Sequence, residues 1–504
     1  MKIFIIFPVH LFEDLSIIKS IKPDIIYIIE DPTYFTKFLF HKIKLCYHRS
    51  TMKYYYNYLI NNKFNVQYID YNNVNYNDII TKKVTEINLY DPIDHQLLDK
   101  ILKYKVNDNI IILDNPGFTE TFEELEIYRD KFTNSKNYYH DKSFYVWQRK
   151  RLNILVNNDK KPLFDKWSFD SDNRSPFINT YVEPKIKKWS NKYWIKSIDY
   201  INKHFSNNFG ILDKNIIFPL DFSQCKKHLN HFIKYKLITF GKFEDAVSNK
   251  ILFGSHSLLS TCLNVGLITT RYVLNKVINY FNKLNLTQQK QIISSVEGFI
   301  RQLIGWRSFT RFIYEFHGNE MLKMNLLNHK NKLPSPWLDT SKSTGFIFID
   351  ELIKKTENYA YLHHIERLMY MGNLALITQI KPIEIYKWFM ICFADSYEWV
   401  MVSNVMGMSQ YSLKNISMMT RPYFSSSAYI KRMSNLTSEN LELDKEYKWE
   451  EVWNALYYNF IKNNSVMFSS IYAIAMQVKN WNKFNLLEKK QISKLAKLYL
   501  TKYK

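Results

Sequence analysis

The sequence predicts a doubly wound α/β domain at the N-terminus followed by a large all-α domain. Three observations carry this reading. Five short β-branched runs alternate with amphipathic stretches over residues 1–135, helical periodicity takes over from about residue 185, and strand-like runs are scarce beyond that point. A chain of 504 residues that is 46% hydrophobic has enough apolar material for two or three packed cores.

The predicted strands are Ile3–Phe7, Ile25–Ile29, Asn65–Ile69, Glu86–Tyr90 and Ile110–Leu113, with helices such as Met52–Ile60 and His95–Tyr104 between them. Strands that alternate with helices run parallel and are covered on both faces, and such sheets bind ligands at the carboxyl ends of their strands. From Phe132 to Glu183 the periodicity fails among Asn, Asp, Lys and aromatic residues, so 136–184 reads as a connector. Residues 185–504 read as helical, with long segments at Ile292–His317 and Gly345–Met371.

Lys and Arg outnumber Asp and Glu by 69 to 47, for a formal charge of +22, which draws polyanions toward the molecule. An AT-rich coding sequence would also enrich Lys, so charge alone leaves both explanations open. The opening MKIFIIFPVH reads as a buried strand and lacks the basic region and cleavage site of a signal peptide. No run reaches the ~18 apolar residues that would span a bilayer. A soluble, intracellular protein is expected, with cytoplasm and nucleus not distinguished. Cys46, Cys225, Cys262 and Cys392 lie far apart, without CxxC spacing, and read as buried thiols.

Two segments carry candidate chemistry. Ser257-Leu258-Leu259-Ser260-Thr261-Cys262-Leu263-Asn264-Val265-Gly266 sets two hydroxyls at a helix start, where they can cap the helix or hold a phosphate at its positive end. In Glu297-Gly298-Phe299-Ile300-Arg301-Gln302-Leu303-Ile304-Gly305-Trp306-Arg307, Glu297 and Arg301 can pair at i,i+4. Gly298 and Gly305 allow close approach of another backbone or of a flat ring.

Together with Phe240–Ala246, these two segments follow the order and spacing of the flavin-binding half of photolyases and cryptochromes, which the chain resembles over nearly its whole length. Tyr145–Leu152, Lys166–Asp170 with Asn173-Arg174, His363–Met369, Asn404–Gln410 and Arg421–Tyr429 resemble the bacterial iron–sulfur (6-4) photolyase branch, that of the deoxyribodipyrimidine photolyase-related proteins. The resemblance implies an α/β antenna domain, a connector and a helical domain that binds FAD. It implies an activity as well: light-driven repair of UV-damaged DNA, most closely of (6-4) pyrimidine photoproducts, by a carbon–carbon lyase acting as a monomer. Ser257 and Ser260 would then contact FAD phosphates. Glu297, Arg301 and Trp306 would line the flavin site, and Asn404 would stand beside the ring. His363 and His364 would face the lesion, where an imidazole with a pKa of roughly 6.5 suits proton transfer. Tyr423 and Tyr429 would contact the flipped bases, and Asp170 with Asp245 would hold a divalent ion. A cryptochrome-like photosensor that binds FAD without repairing DNA is the competing expectation.

The chain departs from that branch in three places. Phe348, Thr437, Asn440 and Glu451 stand where relatives have four cluster cysteines, and none replaces a thiolate on iron, so no iron–sulfur cluster is expected. Pro8-Val9-His10-Leu11 replaces a Gly-Asp-Gln-Leu turn while Glu30 matches an antenna-contacting acid, so a lumazine-type antenna keeps one contact and loses another. In the electron-transfer chain Trp388 matches, but Phe389 and Thr340 replace oxidisable residues, with Trp337 nearby in sequence.

Overall fold

The computed structural model describes residues 1–104, 109–132, 138, 143–419, 422–436, 440–441 and 444–503. Arg421 and Thr437 lie outside the described residues. The N-terminal strands are β1 (Lys2–Ile6), β2 (Ile25–Ile29), β3 (Val66–Ile69), β4 (Glu86–Tyr90) and β5 (Ile110–Leu113). They form one parallel sheet in the order β3-β2-β1-β4-β5, with Ile3 opposite both Ile25 and Ile87. Both faces of β1 and β2 are buried, which is why their sequences run Ile, Phe and Tyr without alternation. The edge strand β5 leaves Ile111 and Ile112 exposed.

The helix expected at Met52–Ile60 extends over Lys42–Asn61. Its first turns carry buried Lys44 and His48 on the packed face, so polar letters hid the period. Lys44 Nζ donates to the Met390 and Ser396 carbonyls at 3.1 and 2.5 Å, which fastens the α/β unit to the helical body.

The remainder is largely helical, with a short hairpin of Asn440–Leu441 and Asp444–Lys448. The long segment expected at 292–317 is continuous but changes pitch: Leu286–Ile300 and Ser308–Met321 are α-helical, and Arg301–Arg307 between them is π-helical. The single helix expected over 345–371 is two. Ile347–Tyr359 ends at Ala360, whose φ of 49° is left-handed, and helix resumes at His364-Ile365. The connector is not wholly irregular, since Tyr145–Leu152 is a helix whose Tyr145 is fully buried. Among the described residues no helix is long and apolar enough to cross a membrane. The four cysteines are buried and unpaired.

Candidate functional site

Three π-helical stretches converge on one cavity of about 270 Å³. Arg301–Arg307 contributes Gln302, Trp306 and Arg307; Glu366–Gly372 contributes Arg367 and Leu368; Val402–Ser409 contributes Asn404 and Ser409. A π turn widens the helix by one residue and re-aims its side chains, and such turns gather at functional sites.

Ser257 and Ser260 both line this cavity. Neither caps the short helix Ser260–Val265, whose preceding residue is Leu259 and whose start has no side-chain cap. Ser257 Oγ accepts from the Leu259 amide at 3.4 Å, and Ser260 Oγ donates to Asp395 at 2.7 Å. The helix ends at Gly266, with φ 91°. A side chain there would strike the Phe12 ring, so glycine lets the loop after β1 close on the site, Leu11 N donating to Val265 O at 2.9 Å.

A buried ion pair anchors the cavity wall: Arg367 meets Asp395 at 2.9 Å. Asn264 Nδ2 donates to the Asp395 carbonyl at 2.8 Å, and Arg307 donates to the Asn264 side chain and to Leu263 O. Burial, partly offset by Glu120, lowers the Arg307 pKa to about 9, and its buried Nε has no hydrogen-bond partner in the protein. Arg307, Arg367 and Asp395 went unnoticed in the sequence. The available signal was a charged residue inside the apolar runs Ile365–Met371 and Ile391–Ala394-Asp395.

The two adjacent histidines part company. His364 is open to the cavity although it lies deep, and burial followed by the Arg367 charge lowers its pKa to about 4. His363 does not line the cavity. It is 4% exposed and stacks on His256 at 4.3 Å and 15°, so His256 is the second histidine at the wall. His363 lies before the helix start and His364 is its first residue, which separates the pair.

Glu297 and Arg301 also lie outside the cavity lining. Fully buried Glu297 accepts from Tyr145 Oη at 2.9 Å, the Phe169 amide at 2.8 Å and Arg301 Nε at 3.3 Å. The expected i,i+4 pair therefore forms, but it ties down the connector. Gly298 serves the same contact: a Cβ there would meet Asn173 Nδ2 at 2.7 Å.

Asp170 and Asp245, expected to hold a divalent ion, have different surroundings. Asp170 pairs with Arg174 and with Arg301 at 3.2 Å, and no group of three metal-ligating side chains occurs among the described residues. Asp245 instead lines a second cavity of about 650 Å³ with Tyr423, Tyr429, Arg174 and Arg432. Leu368 lines both cavities, which are therefore neighbours. Burial, then Asp170, raises the Asp245 pKa to about 6.

Trp388 sits one layer behind the first cavity, its ring 5.4 Å from that of lining residue Phe389. Its Nε1 donates to Trp337 O at 2.8 Å and the two indoles meet edge to face at 5.0 Å. Thr340 bonds Glu357 instead. On the sheet, Glu30 is fully buried and accepts from Arg49 at 2.5 Å, Tyr68 Oη at 2.6 Å and the Tyr71 amide at 3.1 Å.

Phe348 stands in an aromatic pack with Trp449 at 5.1 Å and Trp453 at 5.7 Å, and Glu451 accepts from the Lys448 amide at 2.9 Å. Phe348 has no donor atom, and Glu451 offers a hard carboxylate where a thiolate would be needed.

A family of deoxyribodipyrimidine photo-lyase-related proteins matches residues 4–216. A (6-4) photolyase of Agrobacterium fabrum (strain C58 / ATCC 33970) is 33% identical over 341 residues, which are 67% of this chain and 65% of that protein. The chain thus aligns with somewhat under two thirds of that relative. Among solved structures, a bacterial class III photolyase from Agrobacterium tumefaciens superposes with a TM-score of 0.55 at 15% identity, covering 84% of this chain and 82% of the other. A cryptochrome from Synechocystis sp. PCC6803 gives 0.55 at 12% identity, covering 86% and 88%. Sequence likeness and fold likeness both point to the photolyase/cryptochrome superfamily.

Proposed function

We propose that this chain is a flavoprotein that repairs UV-damaged DNA with light, and that its preferred lesion is the (6-4) pyrimidine photoproduct. The observation that carries the reading is the adjacency of two cavities of complementary chemistry, joined at Leu368. FAD suits the first. Ser257 and Ser260 offer hydroxyls and Arg307 and Arg367 offer charge for the phosphates, with one Arg307 nitrogen still to be satisfied. Trp306, Phe389 and Trp399 give flat apolar walls, and Asn404 offers an amide. When bound, reduced FAD supplies an electron on absorbing light.

The chain's own residues do the rest. Arg174 and Arg432 draw the DNA backbone to the second cavity, where Tyr423 and Tyr429 stack on extruded bases; extrusion costs a few kcal/mol, less at a damaged step. His364 is neutral at rest. A phosphate-rich occupant raises its pKa from about 4, because a nearby negative charge favours imidazolium, and His364 then gives and takes a proton at the wall between the cavities. The indole pair Trp388–Trp337 offers oxidisable rings behind Phe389.

The second reading, a blue-light photosensor, is favoured by the equal structural likeness to a photolyase and a cryptochrome. Purified protein, assayed under blue light on defined (6-4) and cyclobutane substrates, decides between them. Light-dependent loss of the (6-4) lesion is expected, and flavin-replete protein that repairs neither lesion would leave the sensor.

A further inference from the structure

The chemistry proposed above moves a proton at the wall of the first cavity, and one line of side chains leads there from the opposite side of the helix break at Ala360. Glu366 lines a separate cavity of about 310 Å³ whose rim carries the exposed residues Asn249, Lys250, Glu351 and Lys354. Lys355, in the same cavity, grips the Glu366 carboxylate at 2.7 and 2.9 Å and fixes its direction. Inward of Glu366, its carboxylate lies 3.7 Å from His363 Nε2 and accepts from the His363 amide at 2.9 Å. His363 then stacks on His256, which reaches the first cavity. Two ring nitrogens on this line, His363 Nδ1 and His256 Nε2, are buried and have no hydrogen-bond partner in the protein.

We propose that Glu366, His363 and His256 form a proton-conducting line from solvent to the first cavity, with Lys355 as its positioning residue. The line stands on this geometry; what the proton finally reaches rests on the flavin-and-lesion reading. A proton taken from water by Glu366 passes to one nitrogen of His363 while the proton on the other nitrogen leaves for His256, which releases its own into the cavity. Each ring exchanges one tautomer for the other, so charge and atoms balance without any redox partner. One water molecule bridging the two unpartnered nitrogens satisfies both and carries the step between the stacked rings, which cannot exchange a proton through their faces.

The resting state suits a relay. Burial holds both rings well below the usual histidine pKa, so each is neutral with one N–H and one acceptor nitrogen. The charged and titratable groups around His256 are His363, Glu366, Lys236 and Lys355; those around His363 are Lys355, His364, Arg367 and Glu366. Glu366 is the one acid among them; it is 2% exposed and lines the cavity whose rim is exposed.

The test uses the full chain with Glu366→Gln, which keeps the acceptor for the His363 amide, and with His363→Gln. In the dark, exchange of the His256 ring N–H with water, followed by nitrogen-15 NMR of histidine-labelled protein, should slow about tenfold or more in both variants. In flavin-replete protein, the proton uptake that accompanies light-driven reduction of oxidised flavin by an added one-electron metal-complex donor, read with a pH-indicator dye, should slow by a similar factor at unchanged flavin content and melting temperature, and added imidazole should restore it in His363→Gln. Exchange and uptake at the wild-type rate in both variants would overturn the relay. A preparation without flavin would count against the proposed function instead, and the dark exchange measurement would still decide the relay.

Discussion

The carboxyl edge of the parallel sheet and the cavity among the π-helical stretches are both places where this fold can hold a ligand, and they treat their charged groups differently. At the sheet edge the carboxylates are held by the protein's own donors, although His10 Nε2, Tyr34 Oη and His95 Nδ1 are buried without a hydrogen-bond partner. Glu30 is saturated by Arg49, Tyr68 and Tyr71. Beyond β4, between β1 and β5 in the sheet, Asp94 caps the helix His95–Leu102 through Leu97 N at 3.0 Å, and Tyr314 from the helical body stacks on His95 at 4.3 Å. At the cavity, hydroxyls, amides and guanidiniums line open space, and Arg307 keeps an unsatisfied nitrogen. A buried polar group costs free energy until it is paired, so the sheet-edge acids Glu30 and Asp94 have been settled by the protein itself while the Arg307 guanidinium at the cavity still gains from a ligand.

Four substitutions or conditions sharpen that contrast. Asp395→Ala has the largest expected effect, because it leaves Arg367 buried without its partner: stability falls by about 3–5 kcal/mol and flavin is lost, both visible in a melt followed by flavin fluorescence. His364→Asn keeps a hydrogen-bonding side chain that cannot titrate near neutrality. Repair per absorbed photon should drop about 10²-fold with flavin content and melting temperature nearly unchanged, and wild-type repair would remove His364 from the mechanism. Glu30→Ala should cost about 1–3 kcal/mol and leave flavin content and repair intact; loss of repair instead would mean that the sheet edge takes part.

The smallest effect is graded with pH. Burial lowers the pKa of His10 and His41 to about 3 on the sheet side and of His364 to about 4 at the cavity. A histidine whose folded pKa lies below its unfolded value binds protons more readily when unfolded, so its contribution to stability is lost as pH falls through about 6.5. Asp91, Asp94 and Asp245, raised to about 6 chiefly by burial, act in the opposite sense, since the folded state then holds their protons between about 3.9 and 6. With His228 and His329, also lowered to about 4 by burial, the lowered histidines outnumber these acids, so the melting temperature should fall from pH 6.5 toward 4. An anion bound in the cavity should shift only the His364 part of that curve; a shift in the His10 signal as well would mean that the two regions are coupled.

The fold was largely legible. The five strands begin and end within a residue of the β-branched runs; β1, β2 and β4 are almost wholly buried and so need an unbroken run, while the edge strands β3 and β5 keep β-branched residues though partly exposed. The helix at Lys42–Asn61 was read short, since buried Lys44 and His48 look like surface residues until their partners 300 residues away are known. The site was legible in outline and misread in detail. Ser257, Ser260, Trp306, Asn404 and His364 line one cavity and Tyr423, Tyr429 and Asp245 its neighbour, whereas Glu297, Arg301 and His363 face away from both.

Local sequence thus determined which segments are strands and helices, the excess of positive charge, the lack of a cysteine set for iron, and the family likeness. Tertiary structure alone decided which side of each helix meets the void. A π turn shifts every later side chain by about 100°, and the left-handed Ala360 redirects the whole start of the next helix. Neither leaves a residue-level signature, because hydrogen bonds to i−5 and a positive φ outside glycine persist only where packing from distant segments outweighs their local cost. For the same reason His363, Glu297 and Trp337 acquired their roles from neighbours far along the chain: His256, the connector at Tyr145 and Phe169, and Trp388.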